Sequence, residues 1–96
     1  MTPVVWTRPA LRDVARLHAC LAAKSPNAAQ RAASAIRAAA AALREHPQLG
    51  HPVKEMPSEF RERHVPFGRA GYLILYRYDG GQATILAVRH SREAGY

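Results

Sequence analysis

The chain has 96 residues, 48% of them apolar, with 14 lysines and arginines against 7 acids and a formal net charge of +7. This describes one domain, residues 1–96, near the lower limit for an independent core, and it excludes disorder. No apolar run approaches the roughly 18 residues of a membrane span, and the single cysteine, Cys20, excludes an internal disulfide. With no basic-then-apolar leader at Met1–Trp6, the expected location is a reducing cytoplasm.

In chain order, Pro3-Val4-Val5-Trp6 reads as a short strand, β-branched and aromatic. Thr7 is placed to cap a first helix, with Pro9 in its first turn. Leu11, Val14, His18 and Leu21 recur at three- and four-residue steps, which predicts that they form the buried face. Lys24-Ser25-Pro26-Asn27 breaks this helix and starts a second, over about 26–46. Its inward stripe is Ala29, Ala32 or Ala33, Ile36, Ala39 or Ala40, and Leu43. Alanine is the strongest helix former and allows close approach of a second helix, so the two form an antiparallel hairpin. Pro47, Gly50 and Pro52 end it, and 47–59 reads as a loop.

Phe60–Phe67 reads as a strand and Gly68-Arg69-Ala70-Gly71 as a turn. Tyr72–Tyr78 is the clearest strand of the chain. Asp79-Gly80-Gly81-Gln82 is a hairpin turn, and Ala83–His90 is the last strand. The expected fold is α+β: a helical hairpin on one face of a mostly antiparallel sheet of about four strands, in the order β-α-α-β-β-β.

One helical hairpin covers one face of a sheet, so the other face of a lone sheet should be polar. Here it is not. Tyr72, Ile74, Tyr76 and Tyr78 alternate with Leu73 and Leu75, while Ile85 and Ala87 alternate with Leu86 and Val88. Simple alternation puts Leu73, Leu75, Ile85 and Ala87 on the side without helices. That side calls for a cover: the C-terminal tail, a second copy or another protein. The charge points to an acidic partner or to nucleic acid. Its excess lies in the first half, where seven lysines and arginines face only Asp13 and Glu45.

The run from "VWT" through "PALRDVARL", the "GYLILYRYDGGQATILAVRH" strand pair and "REAGY" resembles the RelE/ParE family of bacterial type II toxins over almost the whole chain. The resemblance implies a growth-inhibiting toxin and an antitoxin partner, acidic where it binds, that would cover the bare face. It implies no cofactor. The family's two branches differ in target. RelE-like members cut mRNA on the ribosome with basic residues and a histidine or tyrosine on the sheet and tail. ParE-like members lack that set and poison DNA gyrase by contact.

Metal-free RNA cleavage by the 2′-hydroxyl needs a base, an acid and cations for the phosphate. RelE-like enzymes carry an arginine directly after the "GY" of the strand, where this chain has Leu73. The candidate catalytic residues, if it is a nuclease, are Arg61 and Arg63, two residues apart on one strand face, with His90 and Tyr96. Each has a plainer reading: Arg61 and Arg63 as a solvated edge beside Glu59 and Glu62, His90 as a hydrogen-bonded strand end, Tyr96 as a packed terminus. Arg89, Arg92, Leu73, Leu75 and Arg77 are candidate partner-binding or nucleic-acid-binding residues. His46, His51 and His64 lack metal-ligand spacing, so no metal is expected. Leu73 tilts the reading to gyrase poisoning, with mRNA cleavage as the alternative and a basic nucleic-acid-binding module that is no toxin as a third reading.

Overall fold

A computed structural model of the chain describes residues 1–93. Strand β1 is Val4–Trp6, helix α1 Arg8–Ala22 and helix α2 Pro26–Ala41, which runs into a 3-10 turn at Ala42–Arg44. Strands β2 (His51–Pro52), β3 (Phe60–Phe67), β4 (Ala70–Tyr78) and β5 (Ala83–His90) follow. The sheet order is β1-β5-β4-β3-β2, with β1 parallel to β5 and the other pairs antiparallel. The expected α+β architecture is present. The difference is a fifth strand, the two-residue β2 inside the loop after the helices, too short for any alternation to announce it.

Both helices start as their sequences dictate. The Thr7 side chain accepts from the Ala10 N–H and that of Ser25 from the Ala28 N–H, with Pro9 and Pro26 in the first turns. Each cap satisfies a donor that lacks an intrahelical partner. The predicted α2 stripe is buried as read: Ala29, Ala32, Ala33, Ile36, Ala39 and Ala40, followed by Leu43 in the 3-10 turn. The α1 stripe is rotated by one residue. Ala10 and Leu17 go into the core beside Val14 and Leu21, while Leu11 and His18 stay exposed. Ala10 occupies the inner position, fully buried on a helix that packs against β5.

The core lies between the hairpin and the sheet. It joins Ala10, Leu17, Ile36, Ala39, Ala40 and Leu43 to Val65, Tyr72, Ile74, Tyr76, Ala83, Ile85 and Val88. Ile85 belongs to this core rather than to the opposite face. The pairing runs Leu75↔Ala87 and then Tyr76↔Ile85, so Leu86 is an extra residue in β5. A bulge of this kind shifts the alternation by one, and it turns both Ile85 and Val88 toward the helices. Regular period-two counting placed them on opposite sides.

Tyr76 ties this core to the loop after the helices. The residue is fully buried; its hydroxyl donates to the Pro47 carbonyl at 2.7 Å and accepts from the Gly50 N–H at 2.9 Å. Gly50 is required there, because a Cβ would lie 2.8 Å from both the Glu62 carbonyl oxygen and the Tyr76 ring. Replacing Tyr76 with Phe keeps the ring but strands a buried donor and acceptor. Tyr76→Phe is expected to lower unfolding stability by about 1–3 kcal/mol with little change in denaturant slope, measurable by urea unfolding.

Candidate functional site

The turn at Gly68–Arg69 decides which candidates can act together. The tight hairpin pairs Phe67 with Ala70 and Pro66 with Gly71, so the turn has two residues rather than the four that the sequence suggests. Gly68 and Gly71 have positive φ, and a Cβ on Gly71 would fall 2.4 Å from the Val65 carbonyl oxygen. From this turn the register runs Val65↔Tyr72, His64↔Leu73, Arg63↔Ile74, Glu62↔Leu75 and Arg61↔Tyr76. Residues directly opposite in an antiparallel pair share a face. Arg61 and Arg63 therefore share the helix side with Ile74 and Tyr76, and His90, opposite Tyr72, joins them. Leu73, Leu75, Arg77 and Arg89 lie on the other side, in rows with His64, Glu62 and Phe60.

On the helix side the three candidates stay apart. The Arg61 guanidinium donates to the Gly50 carbonyl at 2.6 Å and to that of Gln48 at 3.3 Å. It holds the same loop that Tyr76 holds. Arg63 forms no hydrogen bond or ion pair among the described residues, and its Nε is shielded from solvent. His90 is two strands over from Arg63 and two residues along, about 10 Å across and about 7 Å along the sheet. Buried Tyr72 and Ile74 fill the helix-side face between them. His90 meets Tyr72 edge-on at 5.6 Å between ring centroids, and its Nδ1 accepts from the Arg92 N–H at 3.2 Å. It lines a cavity of about 550 Å³ with Arg16, Cys20, Lys24, Phe67, Tyr72 and Glu93 among others. Tyr96 lies outside the described residues.

The face without helices carries a compact apolar centre. Leu75 is only 6% exposed yet belongs to no part of the helix-side core, being flanked by Glu62 and Ala87 on the adjoining strands. Leu73 and Ala87 are half-buried, and Val5 at the β1 edge is 42% exposed. Charges rim this patch. Arg77 pairs with Glu59 at 3.6 Å and Asp79 at 3.7 Å, and Arg89 with Glu93 at 3.8 Å. Arg92 is exposed.

Sequence reasoning missed two carboxylates that build the end of β5. Beyond Ile85 the strand has no β1 partner. Asp13 on α1 accepts from the Val88 N–H at 2.9 Å, and Glu93 accepts from the His90 N–H at 3.0 Å. Side-chain oxygens thus stand in for a neighbouring strand on an edge that would otherwise invite one. Glu93 also pairs with Arg16 at 3.2 Å, which pins residues 91–93 against α1. Asp13 being one of two acids in a strongly basic half was the available signal. Among the described residues, no cluster of three His, Cys, Asp or Glu side chains could hold a metal ion, and no helix is long and apolar enough to cross a membrane.

A helical hairpin on one face of a five-stranded mixed sheet, with a surplus of arginine, is the architecture of a small toxin from a two-protein module. A family model, the ParE toxin of the type II toxin–antitoxin system parDE, matches residues 4–95. Toxin RelE3 of Caulobacter vibrioides is 36% identical over 84 residues, 88% of each chain; Toxin RelE1 of the same organism is 34% identical over 84 residues, 88% of this chain and 87% of that one. Among solved structures, the chromosomal ParDE system from P. aeruginosa superposes with a TM-score of 0.76 over 96% of this chain and 98% of that one, at 19% identity. The RelBE2 toxin–antitoxin complex from Mycobacterium tuberculosis gives 0.66 over 93% and 96%, at 26% identity. The chain belongs to the RelE/ParE family of toxins of type II toxin–antitoxin systems.

The Glu93 latch has a pH signature. The His90 N–H and then Arg16 and Arg89 hold its carboxyl below the ordinary glutamate value, which is about 4.3. A carboxyl whose folded pKa is depressed contributes stability above its unfolded pKa and loses it as pH falls through the folded one. The melting temperature of Glu93→Gln should therefore lie below that of the wild type near pH 6, and the gap should close below about pH 4, as followed by thermal unfolding across that range.

Proposed function

We propose that this chain acts in the cytoplasm as a ParE-like toxin that arrests growth by gripping DNA gyrase, with no residue performing bond chemistry. The observation that carries this reading is the β3–β4 register. A phosphate-cleaving site needs its cations and its acid–base group to converge on one reacting centre. Here Arg61 is committed to two loop carbonyls, Arg63 and His90 are separated by a filled core, and the position after Gly71-Tyr72 carries Leu73 on the opposite face.

The open sheet face is the proposed seat of a cognate antitoxin, a small protein from an adjoining reading frame. Leu73, Leu75 and Ala87 supply the apolar centre, and Arg77, Arg89 and Arg92 favour an acidic segment around it. Such contact follows the usual pattern of a buried apolar anchor inside a polar rim. The solved neighbours named for toxin–antitoxin pairs support a two-protein assembly.

The RelE names of the curated relatives favour a second reading, metal-independent mRNA cleavage on the ribosome, for which Arg61, Arg63, His90 and Tyr96 are the residues to test. The two readings separate on expression without the antitoxin. Gyrase poisoning predicts that thymidine incorporation falls first, with an induced DNA-damage response; early loss of leucine incorporation with cut transcripts would overturn it. Arg63→Gln and His90→Gln should each leave growth arrest within about threefold of wild type, whereas removal of an acid–base group from a nuclease costs about 100-fold or more. Leu73→Asp should weaken antitoxin binding by about 30-fold, the effect of losing an interface anchor worth about 2 kcal/mol, read by titration calorimetry.

A further inference from the structure

The cavity that His90 lines, of about 550 Å³, lies between the end of α1 and the place where β4 begins and β5 ends. It shares no lining residue with the leucine patch proposed for the antitoxin. Its walls are largely apolar: Leu17 and Leu21 of α1 meet Phe67 and Tyr72, whose ring centroids are 6.0 Å apart. Its size is within the range of clefts that hold small ligands, about 300–1,000 Å³. Tyr72 itself points to an occupant. It is only 4% exposed, yet its hydroxyl makes no hydrogen bond among the described residues. The other two tyrosines of β4 are satisfied: Tyr76 bridges Pro47 and Gly50, and Tyr78 donates to the Gly80 carbonyl at 3.4 Å. A buried phenol normally finds a partner, so the Tyr72 hydroxyl is a donor left open beside the cavity.

The other open polar groups around the cavity are donors too. The Arg92 N–H donates to His90 Nδ1, so the proton of the neutral ring sits on Nε2. That N–H has no hydrogen-bond partner among the described residues. Lys24 is exposed and makes no ion pair among them. It follows Arg16 and Cys20 at four-residue steps, which sets all three along one side of α1 and its end. Burial, and then the Cys20 thiol, push the Tyr72 hydroxyl above its ordinary range, so it stays a proton donor at neutral pH. The neighbouring acceptor is already engaged: the Glu93 carboxylate takes the His90 N–H, Arg16 and Arg89. Apolar walls, open donors and the Lys24 ammonium select a small molecule with an apolar body and one carboxylate. An aromatic body suits walls built partly from the Phe67, Tyr72 and His90 rings. A nucleic-acid backbone does not suit them, because the Glu93 charge borders the cavity and the apolar walls cannot replace the water around successive phosphates.

We propose that this cavity binds a small aromatic carboxylate, its acid group taking the Tyr72 hydroxyl and the Lys24 ammonium and its ring seated against Phe67 and Leu21. The site stands independently of how the toxin acts. The chain carries its own reporter, because Cys20 is its single cysteine, is exposed and lines the cavity. The whole chain is alkylated with an iodoacetamide dye while benzoate, 2-naphthoate or indole-3-acetate is titrated in, and amide chemical shifts follow binding in parallel. At about ten times its dissociation constant, a bound acid should slow Cys20 labelling by about tenfold. 2-Naphthalenemethanol, which keeps the ring and lacks the charge, should bind about tenfold more weakly than 2-naphthoate. Tyr72→Phe keeps the ring and Lys24→Gln alters an exposed position; each should weaken 2-naphthoate binding by about fivefold or more, with circular dichroism unchanged. If none of the three acids binds saturably or protects Cys20 up to its solubility, the proposal is overturned. It is equally overturned if the alcohol binds as tightly as the acid, or if both variants bind like the wild type. Protection of Cys20 by purified antitoxin but by no acid assigns the cavity to the antitoxin, and binding seen only after deletion of residues 94–96 assigns it to the chain's own tail; either result overturns the proposal.

Discussion

The two-residue turn at Gly68–Arg69 governs how every side chain of β3 is oriented against β4. Alternation has period two, so adding or removing one residue at the turn exchanges the faces of the whole strand. With this turn, Arg61 and Arg63 lie over the helix-side core and His64 and Glu62 join the leucines on the other side. The basic pair thereby lies half-buried on the helix side rather than along a solvated edge. Arg61 fastens the loop at 47–50, and Tyr76 fastens the same loop from the neighbouring strand. The spacing of the basic candidates is thus set by backbone geometry.

The same sheet shows how a small domain satisfies its backbone when strands are too few. β1 reaches only as far as Ile85, where Thr7 donates both its N–H and its hydroxyl to the Ile85 carbonyl. Past that point Asp13 and Glu93 accept the edge N–H groups. Buried backbone groups are seldom left unpaired, and each of these side chains replaces one bond of an absent strand. Helix α1 is held in place by this arrangement, and its rotation follows from it: the face carrying Asp13 and Ala10 turns to β5, and Leu11 turns away.

Charge and burial divide the surface into two distinct regions. The sheet face without helices holds a leucine centre with its arginines partly engaged by Glu59, Asp79 and Glu93. The hairpin side holds arginines without partners among the described residues, beside an apolar groove.

Much of the architecture is legible from local signals, because caps, proline positions, glycine turns and alternation act over a few residues. Thr7, Ser25, the alanine stripe of α2 and the Asp79–Gln82 turn all behave as their neighbours in sequence dictate, and the two-faced character of β4 is plain from Leu73 and Leu75. Three features are decided only in the assembled structure. The bulge at Leu86 carries Ile85 into the core, the register at Gly68–Arg69 separates the basic candidates, and the seating of Asp13 on Val88 rotates α1. Each is a choice of one residue in phase, and the last joins segments 75 positions apart in the chain, Asp13 and Val88. Local pattern determines that a face is apolar; only the assembled sheet and helices determine which way that face looks.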